Sequence, residues 1–280
     1  MEFKVGERIE LEIEDLNNEG MGVGKYNGFT FFVEGSTIGD KVICEIMKLK
    51  KNYGIGKTIE IINPSPYRVE SKCEYFHQCD GCELHNLKYD KQLELKTNLV
   101  KNNLERIGKI KDVLIKDTIG MDYPYRYRNK GEFKVGKNYE IGYFKRGTHE
   151  IYPVEKSIIQ KETADIVVRI LKEYMKKYKV EGYDRKSKKG IIKNLIVRTN
   201  RDNQVMVIVV TKNEKLPHKK ELIDLLIGQK EVQVISIYQN INSKDTSVIL
   251  GPKDIKLYGE DRLIDYIGEY KFLISPKSFF

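Results

Sequence analysis

The stretch NNEGMGVGKYNGFTFFVEG, residues 17–35, decides the fold at the front of the chain. Turn-forming residues stand at Asn17-Asn18, Gly20-Met21-Gly22, Asn27-Gly28 and Gly35, and Phe29, Phe31 and Val33 alternate between two of these breaks. An Asn-Gly pair between alternating runs is the strongest short-range signal of a β-hairpin, because both central residues of its tight turn need positive φ. Upstream, Ile9, Leu11 and Ile13 alternate in the same way; downstream, Val42, Cys44 and Ile46 do so, followed by an apolar run over 55–62. Short, turn-punctuated strands in this order predict a five-stranded barrel of the oligonucleotide-binding type over residues 1–65. Alternation turns Phe29 and Phe31 inward with Val33 and Phe32 outward, and makes Cys44 a core thiol. Lys25, Tyr26 and Phe32 are then candidate contacts for a nucleic acid, with Lys25 as the cation. Gly20, Gly22 and Gly24 read GxGxG, which lacks the spacing and the following helix of a dinucleotide-binding fingerprint; a loop needing positive φ accounts for them.

Composition narrows the class. The 280 residues suffice for two domains. Fifty Lys and Arg against 41 Asp and Glu give a net charge of +9, which favours an anionic partner through phosphate contacts. No window approaches the eighteen apolar residues of a membrane span, and MEFKVGERIE lacks the basic and apolar regions of a signal peptide, so a cytoplasmic protein is expected.

Three of the four cysteines, Cys73, Cys79 and Cys82, fall within ten residues. Cys79-Asp80-Gly81-Cys82 is a turn that presents two sulfurs to one point, and Cys73 lies six positions upstream. The spacing accommodates an iron–sulfur cluster, a zinc ion with His77 or His85 as a nitrogen donor, or three incidental thiols. Beyond this loop (66–86), Tyr89, Leu93, Val100, Leu104 and Ile107 mark one face of an amphipathic helix with Gly108 as its C-cap, within a segment 87–114.

Strands are predicted at 129–135, 140–143, 195–199, 205–210 and 232–237, and helices at 163–177 and 218–227, making a mixed α+β central domain over 115–270. The chain as a whole is an α+β multidomain protein. Within it, residues 123–130, YPYRYRNK, interleave aromatics with cations. RNA surfaces do this when bases stack on rings and cations hold phosphates; a strand with its Tyr side buried gives the same pattern. Arg126, Arg128 and Lys130 are the RNA-contact candidates, with Lys145-Arg146 and Arg198 weaker ones. Arg185, Lys186, Lys188 and Lys189 read as a solvated basic loop, and His149 as a residue that stabilises the fold.

Residues 5–66 resemble a TRAM domain through the stretch quoted above. CEYFHQCDGCELHNLKYDKQLELK, from Cys73, is similar to the cysteine loop and following helix of the bacterial uracil-C5 RNA methyltransferases of the RumA type. YRYRNKGEFKVG (125–136), IGYFKRGTHEI (141–151), KNLIVR (193–198) and the run ILGPKDIKLYGEDRLIDYIGEYKFLISPKSFF resemble successive later segments of that family. The resemblance implies a [4Fe–4S] cluster on Cys73, Cys79 and Cys82, with Ser157 standing where the family supplies its fourth cysteine. It implies S-adenosylmethionine as methyl donor and 23S ribosomal RNA as partner, since the family's tRNA members generally lack both the barrel and the cysteine loop. It also implies a class I methyltransferase domain, of which 271–280 are the start. The SAM site, the nucleophilic cysteine and the carboxylate base would lie beyond, so the chain is expected to be silent by itself, with its helix 87–114 lacking the surface it docks on.

Two other functions compete with this expectation. One is a non-catalytic RNA-binding protein with a structural metal loop, the other an iron–sulfur redox sensor.

Overall fold

The fold is described by a computed structural model covering residues 3–279. The chain divides into two compact units. The first runs from the N-terminus to His77 and resumes at Cys82–Pro124; the second takes Gln78–Gly81 and everything from Tyr125 on.

The first unit is built on β1 (Arg8–Glu12), β2 (Asp15–Leu16), β3 (Gly22–Tyr26), β4 (Phe29–Glu34), β5 (Lys41–Leu49) and β6 (Tyr53–Asn63), hydrogen-bonded in the order β1-β5-β6-β4-β3-β2. The consecutive strands β1 and β2 pair with opposite edges of the sheet, β5 and β3, so the sheet closes on itself. Glu14 continues the closure by donating its N–H to the Val23 carbonyl at 2.8 Å. The Asn27-Gly28 turn between β3 and β4 has φ of 51° and 80°, the two positive values its hairpin needs. Ile9, Leu11, Ile13, Phe31, Val33, Val42, Cys44 and Ile46 fill the interior. Burial pushes the Cys44 thiol up to about 11, as befits a core residue. Phe32 lies on the opposite face against Tyr53, ring centroids 5.3 Å apart. The closed sheet has one strand more than the five expected, the two-residue β2.

Asp40 ties the barrel to the segment that leaves it. Its buried carboxylate accepts from the backbone N–H groups of Thr37 (2.7 Å) and Ser65 (2.9 Å) and from Arg68 through Nη2 (2.5 Å) and Nε (3.1 Å). Helix α1 (Tyr89–Asn102) follows, with Leu95 against the barrel core and the Gln92 amide donating to the carbonyls of Leu84 and Leu87. None of its residues is fully buried, and the chain beyond exposes Ile107, Leu114 and Ile119. The helix widens into a π turn, Asn103–Ile107, which Gly108 caps by donating its N–H to the Asn103 carbonyl. Gly108 keeps φ at −71°, and Lys109 takes the left-handed conformation.

The second unit is a seven-stranded sheet in the order β13-β12-β11-β10-β7-β8-β9. Its strands are β7 (Lys130–Val135), β8 (Ile141–Phe144), β9 (Ile151–Pro153), β10 (Ile192–Thr199), β11 (Gln204–Thr211), β12 (Gln233–Ile241) and β13 (Lys253–Gly259). All neighbours are antiparallel except β11 and β12, which α3 (Lys219–Ile227) joins as a crossover. With α2 (Glu162–Lys177), α3 packs over the face that carries Phe133, Leu195, Val197, Val205, Val207 and Val209. The other face, with Ile196, Met206, Ile208 and Val210, is covered by Leu263 and Ile274 of the hairpin β14 (Leu263–Ile267) and β15 (Tyr270–Ile274). Burial from both sides explains why β11 reads as an unbroken apolar run.

Candidate nucleic-acid interface

In the barrel, Lys25 is exposed near the end of β3 and Phe32 is half-buried, whereas Tyr26 packs against the barrel core with its ring centre 6.2 Å from that of Phe3 and is no surface contact. A cation beside an aromatic edge on an oligonucleotide-binding type of barrel is the combination that tracks a phosphate backbone and stacks bases.

In the second unit, residues 125–128 form no strand, so alternation does not explain the interleaved run. Arg126 has φ of 54° and is half-buried, and it works inward. Its Nη1 donates to the carbonyls of Ser157 (2.6 Å) and Gln160 (3.1 Å) and to the Asp165 carboxylate (2.7 Å) at the start of α2. Tyr127 and Arg128 are exposed. Lys130 pairs with Glu132 at 2.9 Å and donates to the Phe279 carbonyl at 3.2 Å. Among the three cations singled out in this run, Arg128 is the one presented to solvent, Lys130 is half-presented, and Arg126 holds the 157–160 loop onto α2. Arg198 is buried in β10 with its guanidinium donating to the Ser278 carbonyl, so it belongs to the interior and not to a surface. Arg146 donates through its backbone to Gln78 and through Nη2 to the Cys79 carbonyl, fixing the loop segment that this unit includes. His149 rests against the Phe144 ring, centroids 5.4 Å apart.

The cysteine loop is divided. Cys73 and Cys82 fall in the first unit and are half-buried, whereas Cys79, in the second, is buried and pairs with Lys145 in an isolated β-bridge. The Cys79 sulfur accepts the Gly81 N–H at 3.3 Å. His85 stacks on Phe76, and burial lowers its pKa. Ser157 is locked through its backbone: its N–H donates to Asp165 (3.0 Å) and its carbonyl accepts from Arg126. The Tyr143 phenol accepts from the Gln160 amide at 3.1 Å and is pushed up to about 12, chiefly by burial. Among the described residues, no three of His, Cys, Asp and Glu gather as a metal site. With a hard serine oxygen standing where the fourth cysteine is expected, the donor set does not fit a [4Fe–4S] cluster.

Comparison with known proteins gives this architecture its relatives. Residues 2–59 match the TRAM domain. Over nearly its whole length the chain is similar to proteins described as uncharacterized RNA methyltransferases. It is 44% identical to one from Clostridium tetani over 274 residues, which is 96% of this chain and 59% of that protein. One from Clostridium acetobutylicum is 44% identical across 97% of this chain and 60% of the relative; one from Halalkalibacterium halodurans is 40% identical across 97% and 60%. Among solved structures, the Pyrococcus abyssi tRNA (uracil-54, C5)-methyltransferase in complex with S-adenosyl-L-homocysteine superimposes with a TM-score of 0.71 at 24% identity, over 96% of this chain and 60% of that one. The chain spans about 60% of the length of these relatives. No helix among the described residues is long and apolar enough to cross a membrane. The chain therefore carries a TRAM domain at its front and is related, along nearly all of its length, to RNA methyltransferases.

Proposed function

We propose that this chain is the RNA-holding portion of an S-adenosylmethionine-dependent RNA (uracil-C5)-methyltransferase that modifies 23S ribosomal RNA in the cytoplasm. The observation that carries the reading is the similarity of both units, in order, to RNA methyltransferases at up to 44% identity. The exposed Lys25 on the barrel and Arg128 beside Tyr127 on the central unit supply the electrostatic and stacking contacts, with Lys130 contributing once its partner Glu132 is displaced. Arg126 acts through the loop it positions. S-adenosylmethionine supplies the methyl group when bound, and no residue of this chain is assigned to hold it. Methylation at uracil C5 needs a thiolate to add at C6 and a base to remove the C5 proton. Cys44 is excluded as that thiolate by its place in the barrel core. The half-exposed Val100 and the exposed Ile107 and Leu114 leave an apolar surface that a further methyltransferase domain would cover.

A transfer RNA substrate is the second reading, because the tRNA enzyme of Pyrococcus abyssi has the same fold across the same span. Nucleoside analysis of ribosomal and transfer RNA from cells lacking the reading frame separates the two. Loss of a 5-methyluridine from 23S rRNA is the expected result, loss from tRNA alone transfers the assignment, and no loss from either overturns the proposal.

A further inference from the structure

One recess of the second unit is not used by anything above. It is a cavity of about 480 Å³ between the ends of β7 and β8 and the loop entering β10, lined among others by Lys134, Lys137, Phe144, Lys145, Arg185 and Lys186. That volume is in the range of about 300–1,000 Å³ typical of sites for small ligands. Six cations line it against three carboxylates, Glu140, Glu150 and Asp184. Two of the three carboxylates are already engaged: Glu150 pairs with Lys145 at 2.9 Å, and Asp184 accepts from the Lys186 N–H and the Ser187 hydroxyl.

The basic loop 184–190 is held in place and is not a loosely solvated run. Besides the Asp184 contacts, Arg185 donates to the Thr246 carbonyl at 2.9 Å and Lys188 to Asp245 at 2.7 Å. Tyr183, at the loop's entry, also donates to Asp245, at 3.0 Å. Asp245 faces Lys188, Lys193 and Lys212 together. On the opposite wall Lys134 is half-buried with its ammonium 5.2 Å from the centre of the Phe144 ring. Burial lowers its pKa first, with Arg185 acting the same way and Glu132 opposing. The recess is partly desolvated and carries more cations than carboxylates, an arrangement that a bound anion relieves. At the rim stands the aromatic pair Phe144 and His149.

We propose that this recess receives one nucleotide of single-stranded RNA, its phosphates against Lys134, Lys137, Lys145, Arg185 and Lys186 and its base against the Phe144–His149 pair. The inference rests on RNA being the partner of this chain and adds a second gripping point to the TRAM barrel. Cations alone would hold any polyanion; the aromatic rim favours a nucleic acid, because bases stack on such rings.

The test is fluorescence anisotropy of a labelled single-stranded RNA 12-mer with the 280-residue chain, across a salt series. Each phosphate neutralised on a single strand contributes about 0.7 to the slope of log K against log salt. The combined variant Lys137→Gln, Lys145→Gln, Arg185→Gln, Lys186→Gln should therefore flatten the slope by roughly 0.7–1.4, the share of the one or two phosphates that one nucleotide brings. Replacing Lys188 and Lys189 of the same loop with Gln should change it by less than about 0.7. If the combined variant does not fold, the single variants Lys145→Gln and Lys186→Gln are measured separately, and each is expected to flatten the slope by about 0.7. In addition, 4-thiouridine in the RNA should crosslink to the peptide carrying Phe144 and His149. Wild-type binding with an unchanged slope in the variants overturns the recess and leaves the RNA reading standing. A wild-type chain that ignores RNA at low salt overturns both. Polyglutamate competing as well as RNA of equal charge overturns the nucleotide assignment.

Discussion

Replacing Arg126 with alanine is expected to destabilise the second unit, while replacing Arg128, two positions on, is expected to weaken RNA binding and leave stability unchanged. Arg126 gives one charged hydrogen bond to Asp165 and two to backbone carbonyls, and the Asp165 side chain is only 13% exposed. Breaking a fully buried pair costs about 3–5 kcal/mol; the Arg126 side chain is 29% exposed, so solvent screening brings the expectation to about 2–3 kcal/mol. For a unit of this size that lowers Tm by about 4–12 °C. Arg126→Gly should recover about 1 kcal/mol relative to Arg126→Ala, because φ of 54° strains any residue with a Cβ. The chain has no tryptophan, so the assay is urea and thermal unfolding followed by circular dichroism. Acid supplies a second signature. Burial foremost raises the Asp165 pKa above its ordinary value. A carboxyl whose folded pKa is raised contributes stability that is fully present below the unfolded pKa and is lost as pH rises through the folded pKa. Without Arg126 this effect grows, so the deficit of Arg126→Ala should narrow as pH falls from 7 into the carboxylate range. An Arg126→Ala chain as stable as wild type, with the RNA salt slope flattened instead, would refute the assignment.

Asp40→Asn should cost the barrel about 3 kcal/mol, because it removes the charge that four donors converge on and leaves Arg68 unpaired; an unaltered unfolding midpoint contradicts this. Gly24→Ala should cost about 1–3 kcal/mol, since a Cβ there meets the Glu12 carbonyl oxygen at 2.5 Å and the Leu11 side chain at 2.3 Å. A variant of wild-type stability would show that the barrel yields at that point. Protein purified without oxygen should hold no stoichiometric iron or acid-labile sulfide; four of each per chain would restore the cluster that Ser157 argues against.

The barrel was legible because its pattern is local. Alternation at Ile9, Leu11, Ile13 and at Val42, Cys44, Ile46 can only be satisfied by strands with one buried face, and Asn27-Gly28 fixes the register between two of them. The two-residue β2 carries too few positions to show a period and exists because the chain after β1 meets β3. In the second unit, β10, β11, β12 and both helices were readable from apolar runs and helical stripes. The strands β13, β14 and β15 were not, because they are mostly exposed or half-buried, with Leu263 the one buried position among them, and show no clear alternation. The same distance hid the difference between Arg126 and Arg128. The partners of Arg126 lie 31 to 39 positions away, and nothing in YRYR distinguishes the arginine that turns inward. The basic recess was equally invisible, since its cations come from four separate stretches of chain.

The four-residue excursion of Gln78–Gly81 into the second unit has a practical outcome. The polypeptide crosses from one unit to the other three times, so a single protease nick between Pro124 and Tyr125 leaves residues 78–81, which belong to the second unit, covalently attached to the first piece on both flanks of Cys79. Expressing the part from Tyr125 onward by itself would strip Lys145 of its bridge partner and Arg146 of the carbonyls it grips. Dissection of this protein into independently folding parts is better done by grafting that short segment onto the second piece than by cutting once.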